Sequence, residues 1–388
     1  MKKKVCVITS SRADYGQLRK LITGISKSTF LDLELIVTGS HLSKDTGFTL
    51  EEISNDGVQI SETIDLLLTS DGNVGVTQSI GHGMAGFASV LENMRPDLVV
   101  LLGDRFETLA AALAITIFRI PLAHIHGGEL TGGAIDDTFR HSLTKMSHIH
   151  FVANNEYRRR VIQLGEQPKH VHMVGGLGAD CINSMQLLTL EELEESLEFS
   201  LGENNLLVTL HPETLTPGTS ESYTRTVLSA LDTLDDTKLI FSAPNADMEN
   251  KTILSLIEDY VRGNPMACLR HSLGQERYLS CLRFVDGIVG NSSSGLTEMP
   301  SFNKGTINIG TRQDGRLKST SVIDCKFEHD SIVSALNILY SRDFQTVLKT
   351  SQNPYDQGDA SNNILCILEQ YNLSNILNKS FYDLNQII

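Results

Sequence analysis

The chain has 388 residues, 40% of them hydrophobic and 20% charged, a globular composition long enough for two cores rather than one. Its formal charge of −15, from 32 basic and 47 acidic residues, argues against sequence-independent nucleic-acid binding. The six cysteines include no C-x-x-C pair and read as reduced thiols of a cytoplasmic protein, and no twenty-residue apolar run suits a membrane span.

The amino terminus sets three lysines before an apolar stretch, but that stretch, Val5–Ile8, is too short for a signal peptide. It reads as a first strand, Lys4–Thr9. A helix over Asp14–Lys27 follows, with Tyr15, Leu18, Leu21, Ile22 and Ile25 near helical spacing. Next come a strand at Leu33–Thr38, a helix at Thr49–Asn55, a short strand at Glu62–Leu67 and a long helix at Gly75–Asn93. The aliphatic run Leu98–Leu102 lies between Pro96 and Gly103 and is too short for a helix, which marks a buried parallel strand. An Ala-rich helix, Phe106–Phe118, leads to a strand at Pro121–His126 and a further helix start near Asp136 and Asp137. Strands at His148–Ala153 and His170–Val174 flank the basic helix Tyr157–Gln163. This βα repeat requires right-handed crossovers and a parallel sheet covered on both faces.

The texture breaks after Gly175 and Gly176, and an acidic helix, Leu190–Phe199, intervenes. The alternation then restarts with strands at Leu206–Leu210, Lys238–Phe241, Met266–Leu269, Gly287–Val289 and Thr306–Ile309. The expected organisation is α/β, with one Rossmann-like domain over 1–176 and a second over 177–365, facing each other across a cleft. A helical tail, 366–388, is expected to cross back onto the first domain.

Ligands of open α/β sheets bind beyond the carboxyl ends of the strands, so each strand end is a candidate. The first delivers Ser10, Ser11, Arg12, Ala13 and Asp14, which is no G-x-G-x-x-G turn and disfavours a nicotinamide dinucleotide. An Arg beside a helix start can bind phosphate, while Ser11 or Asp14 can equally be a helix cap. The second strand ends at Gly39, Ser40 and His41. Two adjacent ends bring together Asp104, Arg105, His126, Glu129, Asp136, Asp137 and Arg140, a set suited to proton transfer. In the second half the strand ends carry His211 with Glu213, then Asn245 with Asp247, then His271. The turn Gly290-Asn291-Ser292-Ser293-Ser294-Gly295 precedes Glu298 and reads as a diphosphate cradle or, more plainly, as a flexible turn. Arg312 and Arg316 supply cations at the last strand end. The pairs His124/His126, His148/His150 and His170/His172 each share a strand face, yet no further ligands at short spacing join them. No metal site is expected, and most of these rings read as structural.

Together Arg12-Ala13-Asp14-Tyr15, Gly103-Asp104-Arg105-Phe106-Glu107, HIHGGE at 124–129, IDDTFRH at 135–141, HPET at 211–214, GNSSSG at 290–295 and GTRQ-x-GR at 310–316 resemble the UDP-N-acetylglucosamine 2-epimerases. The likeness is strongest to the hydrolysing branch that serves sialic and related nonulosonic acid synthesis for capsules and surface polysaccharides. Many relatives carry Glu where this chain has His126, with Glu129 three residues on. Non-hydrolysing relatives usually carry Lys at the position of Gln17.

The resemblance implies a GT-B-like fold that needs no cofactor. It maps nucleotide contacts onto Arg12, Asn245, His271, Ser292, Ser293, Glu298 and Arg312, with Arg105 and His211 toward the diphosphate and sugar. Ala13, His41, Arg140, Asp247, Ser294, Gly295 and Arg316 complete the expected binding set. Asp104, His126, Glu129, Asp136, Asp137 and His211 form the expected catalytic set. The partner is then a UDP-sugar, in a homodimer or homotetramer for which the helix Gly75–Asn93 can offer an interface, unless its apolar residues face only their own sheet. A GT-B glycosyltransferase, a non-hydrolysing epimerase and a non-catalytic nucleotide-sugar sensor are the rival readings.

Overall fold

The computed structural model describes residues 2–42, 49–67, 72–132, 134–213, 218–244 and 249–384. The chain separates into two compact units: Met1–Glu129, Asp136–Cys181 and Tyr355–Ile388 form the first, and Leu130–Ile135 with Ile182–Pro354 the second.

The first unit holds β1 (Lys3–Thr9), β2 (Leu31–Thr38), β3 (Glu62–Ile64), β4 (Leu98–Leu102), β5 (Leu122–Ile125), β6 (Ile149–Val152) and β7 (Val171–Met173). All are parallel, in the order β3-β2-β1-β4-β5-β6-β7. Alternate residues of each strand go to opposite faces. Val5, Val7, Leu35, Val100 and Phe151 meet Leu18, Leu21 and Ile25 of the helix Arg12–Lys27. Cys6, Ile8, Val99 and Leu101 meet Phe87 and Leu91 of the helix Asn73–Met94 and the alanines of the helix Phe106–Ile117. Both faces are covered, as a near-continuous apolar strand requires. Phe87 and Leu91 of the long helix are thus spent on its own core.

The second unit holds β8 (Asn204–Thr209), β9 (Thr237–Ser242), β10 (Ala267–Arg270), β11 (Gly287–Gly290), β12 (Gly305–Ile309) and β13 (Val322–Cys325). Their order, again all parallel, is β10-β9-β8-β11-β12-β13. The strand β13 was not anticipated. It is four residues long, none of them buried, and it pairs only with β12, so the apolar signature of a central strand is missing.

The unit boundaries fall at 181 and 354 rather than at the expected 176 and 365. Polar contacts that composition does not reveal carry the difference. Lys20 Nζ reaches Asp180 Oδ1 at 2.7 Å, and the Ser361 amide donates to Asp180 Oδ2 at 3.0 Å. Tyr355 is buried, its hydroxyl 2.7 Å from that of Tyr157 and its carbonyl accepting from the Gly176 amide at 2.8 Å. The closing helix, Ala360–Gln370, adds Ile364 and Leu368 to the first core.

In each sheet the strand order reverses once, between β1 and β4 in the first unit and between β8 and β11 in the second. Those are the places where a doubly wound sheet opens a crevice beyond its strand ends.

Candidate active site

Beyond β4 and β5 the first unit assembles most of the expected proton-transfer groups around one buried cation. Arg140 lies in the first turns of the helix Asp136–Met146 and is 3% exposed. Its Nη2 donates to Asp104 Oδ2, its Nη1 donates to the His126 carbonyl at 2.9 Å, and Nη1 stands 3.9 Å from Glu129 Oε2. Burial acts to lower the guanidinium's pKa, but the carboxylates of Asp104, Glu129, Asp137 and Asp136 outweigh it and raise the value. Asp104 therefore meets Arg140, while its sequence neighbour Arg105 binds Glu107 at 3.0 Å.

The chain turns sharply after β5. His126 takes a left-handed backbone with φ 68°, uncommon outside glycine, and Gly128 follows at φ 80°. A Cβ on Gly128 would stand 2.5 Å from the Tyr157 carbonyl oxygen, so the turn admits no side chain there. The Leu177 amide donates to His126 Nε2 at 3.4 Å, and His126 Nδ1 stands 3.8 Å from Glu129 Oε1. Glu129 is 4% exposed. Asp136 and Asp137 open the helix, with Asp137 Oδ2 3.5 Å from His141 Nε2.

At the end of β1, Ser11 caps the helix by accepting the Asp14 amide at 3.3 Å. Ser10 Oγ donates to Asp14 Oδ2 at 2.6 Å. Burial raises the Asp14 and Glu107 carboxyls, and the Arg105 charge partly offsets both. Arg12 donates through Nε to Glu52 at 3.1 Å, and its Nη1 is buried without a hydrogen-bond partner among the described residues. Ala13 is exposed beside it. His41 is buried between Thr9 Oγ1, at 3.0 Å from Nε2, and Thr49 Oγ1 on Nδ1; desolvation and then Arg12 push its pKa down to about 4. It is a neutral ring held by two hydroxyls, which suits a framing role more than a direct ligand contact.

In the second unit the strand ends are tied by Asn291. Its Oδ1 accepts the His211 amide at 2.7 Å and its Nδ2 donates to the His211 carbonyl at 2.8 Å. Its own carbonyl accepts Gln313 Nε2 at 2.8 Å and Arg312 Nη1 at 3.4 Å. Gly290 makes this possible: at φ 142° a Cβ would lie 1.9 Å from the Thr209 carbonyl oxygen. The helix after the turn is a single turn, Ser294–Thr297, too short for a useful dipole. What the turn presents instead are hydroxyls, amides and the nearby Arg312 guanidinium. Ser292 Oγ accepts the Ser294 amide at 3.4 Å, Ser293 is half-buried, and the Gly295 carbonyl accepts Thr306 Oγ1 at 2.6 Å. Ser294 Oγ donates to Glu298 Oε2, and burial raises that carboxyl.

Arg316 is turned to the 130–135 segment, donating to the Leu130 carbonyl at 2.6 Å and to Thr131 Oγ1 at 3.1 Å. His271 is exposed, with Glu258 Oε1 3.8 Å from its Nε2. The expected contacts Asn245 and Asp247 lie outside the described residues.

Sequence reasoning missed four side chains that hold these groups. Glu107 was signalled by an acid two residues beyond Arg105, and Asn291 and Gln313 stand inside motifs already singled out. Tyr278, which donates to Ser294 Oγ at 2.5 Å, left no signal. The buried histidines are mostly structural, as expected. His124 is held by the Gly103 carbonyl at 2.7 Å and Thr144 Oγ1 at 3.2 Å, and burial drives its pKa down to about 3. Glu166 binds His150 at 3.0 Å, Lys145 at 2.6 Å and Lys379 at 2.7 Å. Among the described residues no cluster of three or more His, Cys, Asp or Glu is arranged to hold a metal ion, and no helix is long and apolar enough to cross a membrane.

Two doubly wound parallel units with clustered charges at their switch points define a GT-B-like α/β protein. The crystal structure of the UDP-GlcNAc 2-epimerase from Neisseria meningitidis bound to UDP-GlcNAc superposes with a TM-score of 0.81 at 17% identity, over 95% of this chain and 100% of that one. At that identity the likeness speaks for the fold. The family model of UDP-N-acetylglucosamine 2-epimerase matches residues 23–369. A GDP/UDP-N,N'-diacetylbacillosamine 2-epimerase (hydrolyzing) of Campylobacter jejuni is 40% identical over 99% of this chain and 100% of its own. A polysialic acid biosynthesis protein of Escherichia coli is 37% identical over 98% of each. The chain belongs to the UDP-N-acetylglucosamine 2-epimerase family, in its hydrolysing branch.

Proposed function

We propose that the protein is a hydrolysing UDP-sugar 2-epimerase that converts UDP-N-acetylglucosamine and water to N-acetylmannosamine and UDP. The observation that carries the reading is the Asp104–Arg140–Glu129–His126 cluster at adjacent strand ends, in a chain that matches the family over residues 23–369. In this reading a base takes the proton from C2 of the sugar while UDP departs from C1 with C–O cleavage, leaving a 2-acetamidoglucal. Water then adds across the double bond, and a proton arrives at C2 from the opposite face. The first unit supplies base and acid from Asp104, His126, Glu129, Asp136 and Asp137, with Arg140 orienting Asp104 and Glu129. The second unit holds UDP through Ser292, Ser293, Glu298 and Arg312. His211 and Arg105 serve the departing diphosphate, and the Nη1 of Arg12, without a hydrogen-bond partner among the described residues, suits an anionic oxygen. The scheme calls on no metal or redox cofactor. Cytoplasmic location and a homodimer or homotetramer are part of the proposal.

A second substrate is favoured by one observation, the name of the relative that is 40% identical: UDP-2,4-diacetamido-2,4,6-trideoxyglucose, processed by the same chemistry. Incubating the protein with each UDP-sugar in deuterated water, followed by proton NMR, tests both. Free UDP and a 2-epimeric sugar with deuterium at C2 are expected, and the faster substrate is the assigned one. Intact sugar nucleotide throughout would favour an acceptor-dependent transferase or a sensor, and product without deuterium would remove the elimination–hydration route.

A further inference from the structure

We propose that Arg316 is a positioning residue for the acid–base step: it clamps the segment that follows Glu129 to the turn that carries Arg312, and so sets the places of Glu129 and Asp136 without touching the substrate. The inference rests on the proposed epimerase reaction, in which those carboxylates belong to the acid–base set, and adds to it the residue that holds their backbone.

The chain leaves the first unit after Glu129 and re-enters it at Asp136, and the residues between, Leu130–Ile135, belong to the second unit. Two groups assigned to proton transfer thus stand at the two ends of one short segment that is anchored elsewhere. Arg316 supplies the anchor. Its Nε donates to the Leu130 carbonyl at 2.6 Å and its Nη2 to the hydroxyl of the buried Thr131 at 3.1 Å. The two stretches also pack closely, since a Cβ on Gly132 would stand 2.6 Å from the Thr311 carbonyl oxygen.

The other side of the clamp is fixed as well. In the turn after β12 the Thr311 amide donates to Glu213 Oε1 at 3.1 Å, the Asp314 amide to the Thr311 carbonyl at 2.9 Å and the Arg316 amide to the Gln313 carbonyl at 3.3 Å. Arg312 and Gln313 both donate to the Asn291 carbonyl. One braced turn therefore carries two arginines with different work. Arg312 is tied to the strand end assigned to UDP, and Arg316 to the segment between the carboxylates. Arginine suits this place because its Nε and Nη2 lie along one edge of a rigid plane and can hold two acceptors at a fixed spacing, which the single ammonium of lysine cannot.

The consequence is a separation of chemistry from nucleotide binding. A reacting group displaced by about 1 Å can lose about a hundredfold in rate, whereas UDP alone, lacking the sugar, makes no demand on the carboxylates.

The measurements are turnover of the UDP-sugar, calorimetry with UDP and amide hydrogen exchange, on the full-length protein well below the melting temperature of each variant. Arg316→Ala should lower kcat by about ten- to a hundredfold and leave UDP affinity within about twofold. Its amides in 130–135 should exchange about tenfold faster or more. Arg316→Lys keeps the cation and the stem but not the fork, so its kcat should fall between wild type and Arg316→Ala, again with UDP affinity retained. Should Arg316→Ala fold poorly, the lysine variant decides alone. A loss of UDP affinity of about tenfold or more would make Arg316 a nucleotide ligand and overturn the proposal. Normal kcat in a folded variant that only melts earlier would make the clamp purely structural and overturn it equally. A wild type that turns over neither UDP-sugar would overturn the proposed function itself, an outcome seen before any substitution is made.

Discussion

Replacing Asn291 with aspartate tests whether the strand-end lock of the second unit works as its geometry implies. Asn291 is fully buried and joins His211 twice, accepting its amide at 2.7 Å and donating to its carbonyl at 2.8 Å. Asn291→Asp keeps shape and acceptor but makes the donor conditional. A protonated acid can still donate to the His211 carbonyl, whereas a carboxylate presents oxygen to oxygen. The folded protein should therefore hold the new carboxyl's proton above the unfolded value of about 3.9. Between those two values the folded state binds more protons than the unfolded one, so stability falls as pH rises, and the full loss appears above the folded pKa. A lost buried hydrogen bond with one unsatisfied group costs about 1–3 kcal/mol. For a unit of this size that amounts to a melting temperature lower by about 3–10 °C at pH 7.5. At pH 4 the variant should melt within about 2 °C of the wild type, because its acid is mostly protonated there. Asn291→Ala, which cannot donate at any pH, should show a deficit independent of pH. Differential scanning calorimetry at the two pH values provides the measurement. An equal gap between wild type and Asn291→Asp at both would refute the two-bond account of this residue.

The acid–base assignment separates by paired variants: if Glu129 transfers the proton, Glu129→Gln should lower turnover by about a hundredfold or more with UDP affinity intact, while His126→Asn does so if the histidine has the role. A variant of Glu129 that loses thermal stability rather than rate would assign it to bracing Arg140, and rate and melting curves read on the same preparations tell these apart. Arg312→Ala and Ser292→Ala should weaken UDP binding in calorimetry, since a phosphate or uridine contact serves ground and transition states alike; unchanged affinity in both would remove the nucleotide from this turn. Burial alone would raise Glu166, but His150, Lys145 and Lys379 hold its carboxyl down at about 2. It should therefore contribute stability that is present above about 4.5 and lost as pH falls through about 2, and Glu166→Gln should flatten that limb of a pH–melting profile. Light scattering at micromolar protein should give a dimer or tetramer mass, and a monomer mass would retire the oligomer.

Much of this protein was legible in its chain. The β-branched and aliphatic runs, alternating with stretches of helical spacing, determine twelve of the thirteen strands among the described residues and both doubly wound units, because a strand buried on both faces must be apolar along its length. The same rule places Asp104, His126, Glu129, His211 and Ser292 at strand ends from the sequence alone. Strand β13 escaped because an edge strand pairs on one side and needs no apolar run. What only the folded chain decided is who partners whom. Asp104 finds Arg140, thirty-six residues away, rather than the adjacent Arg105, because the parallel order of β4 and β5 brings the next helix start to the same edge. Asn291 reaches across eighty residues to His211 through the pairing of β8 with β11, and Tyr278 meets Ser294 from a helix whose sequence carries no mark of the contact. Spacing along a chain records periodicity; the meeting of strand ends depends on sheet order, which is a property of the packed whole.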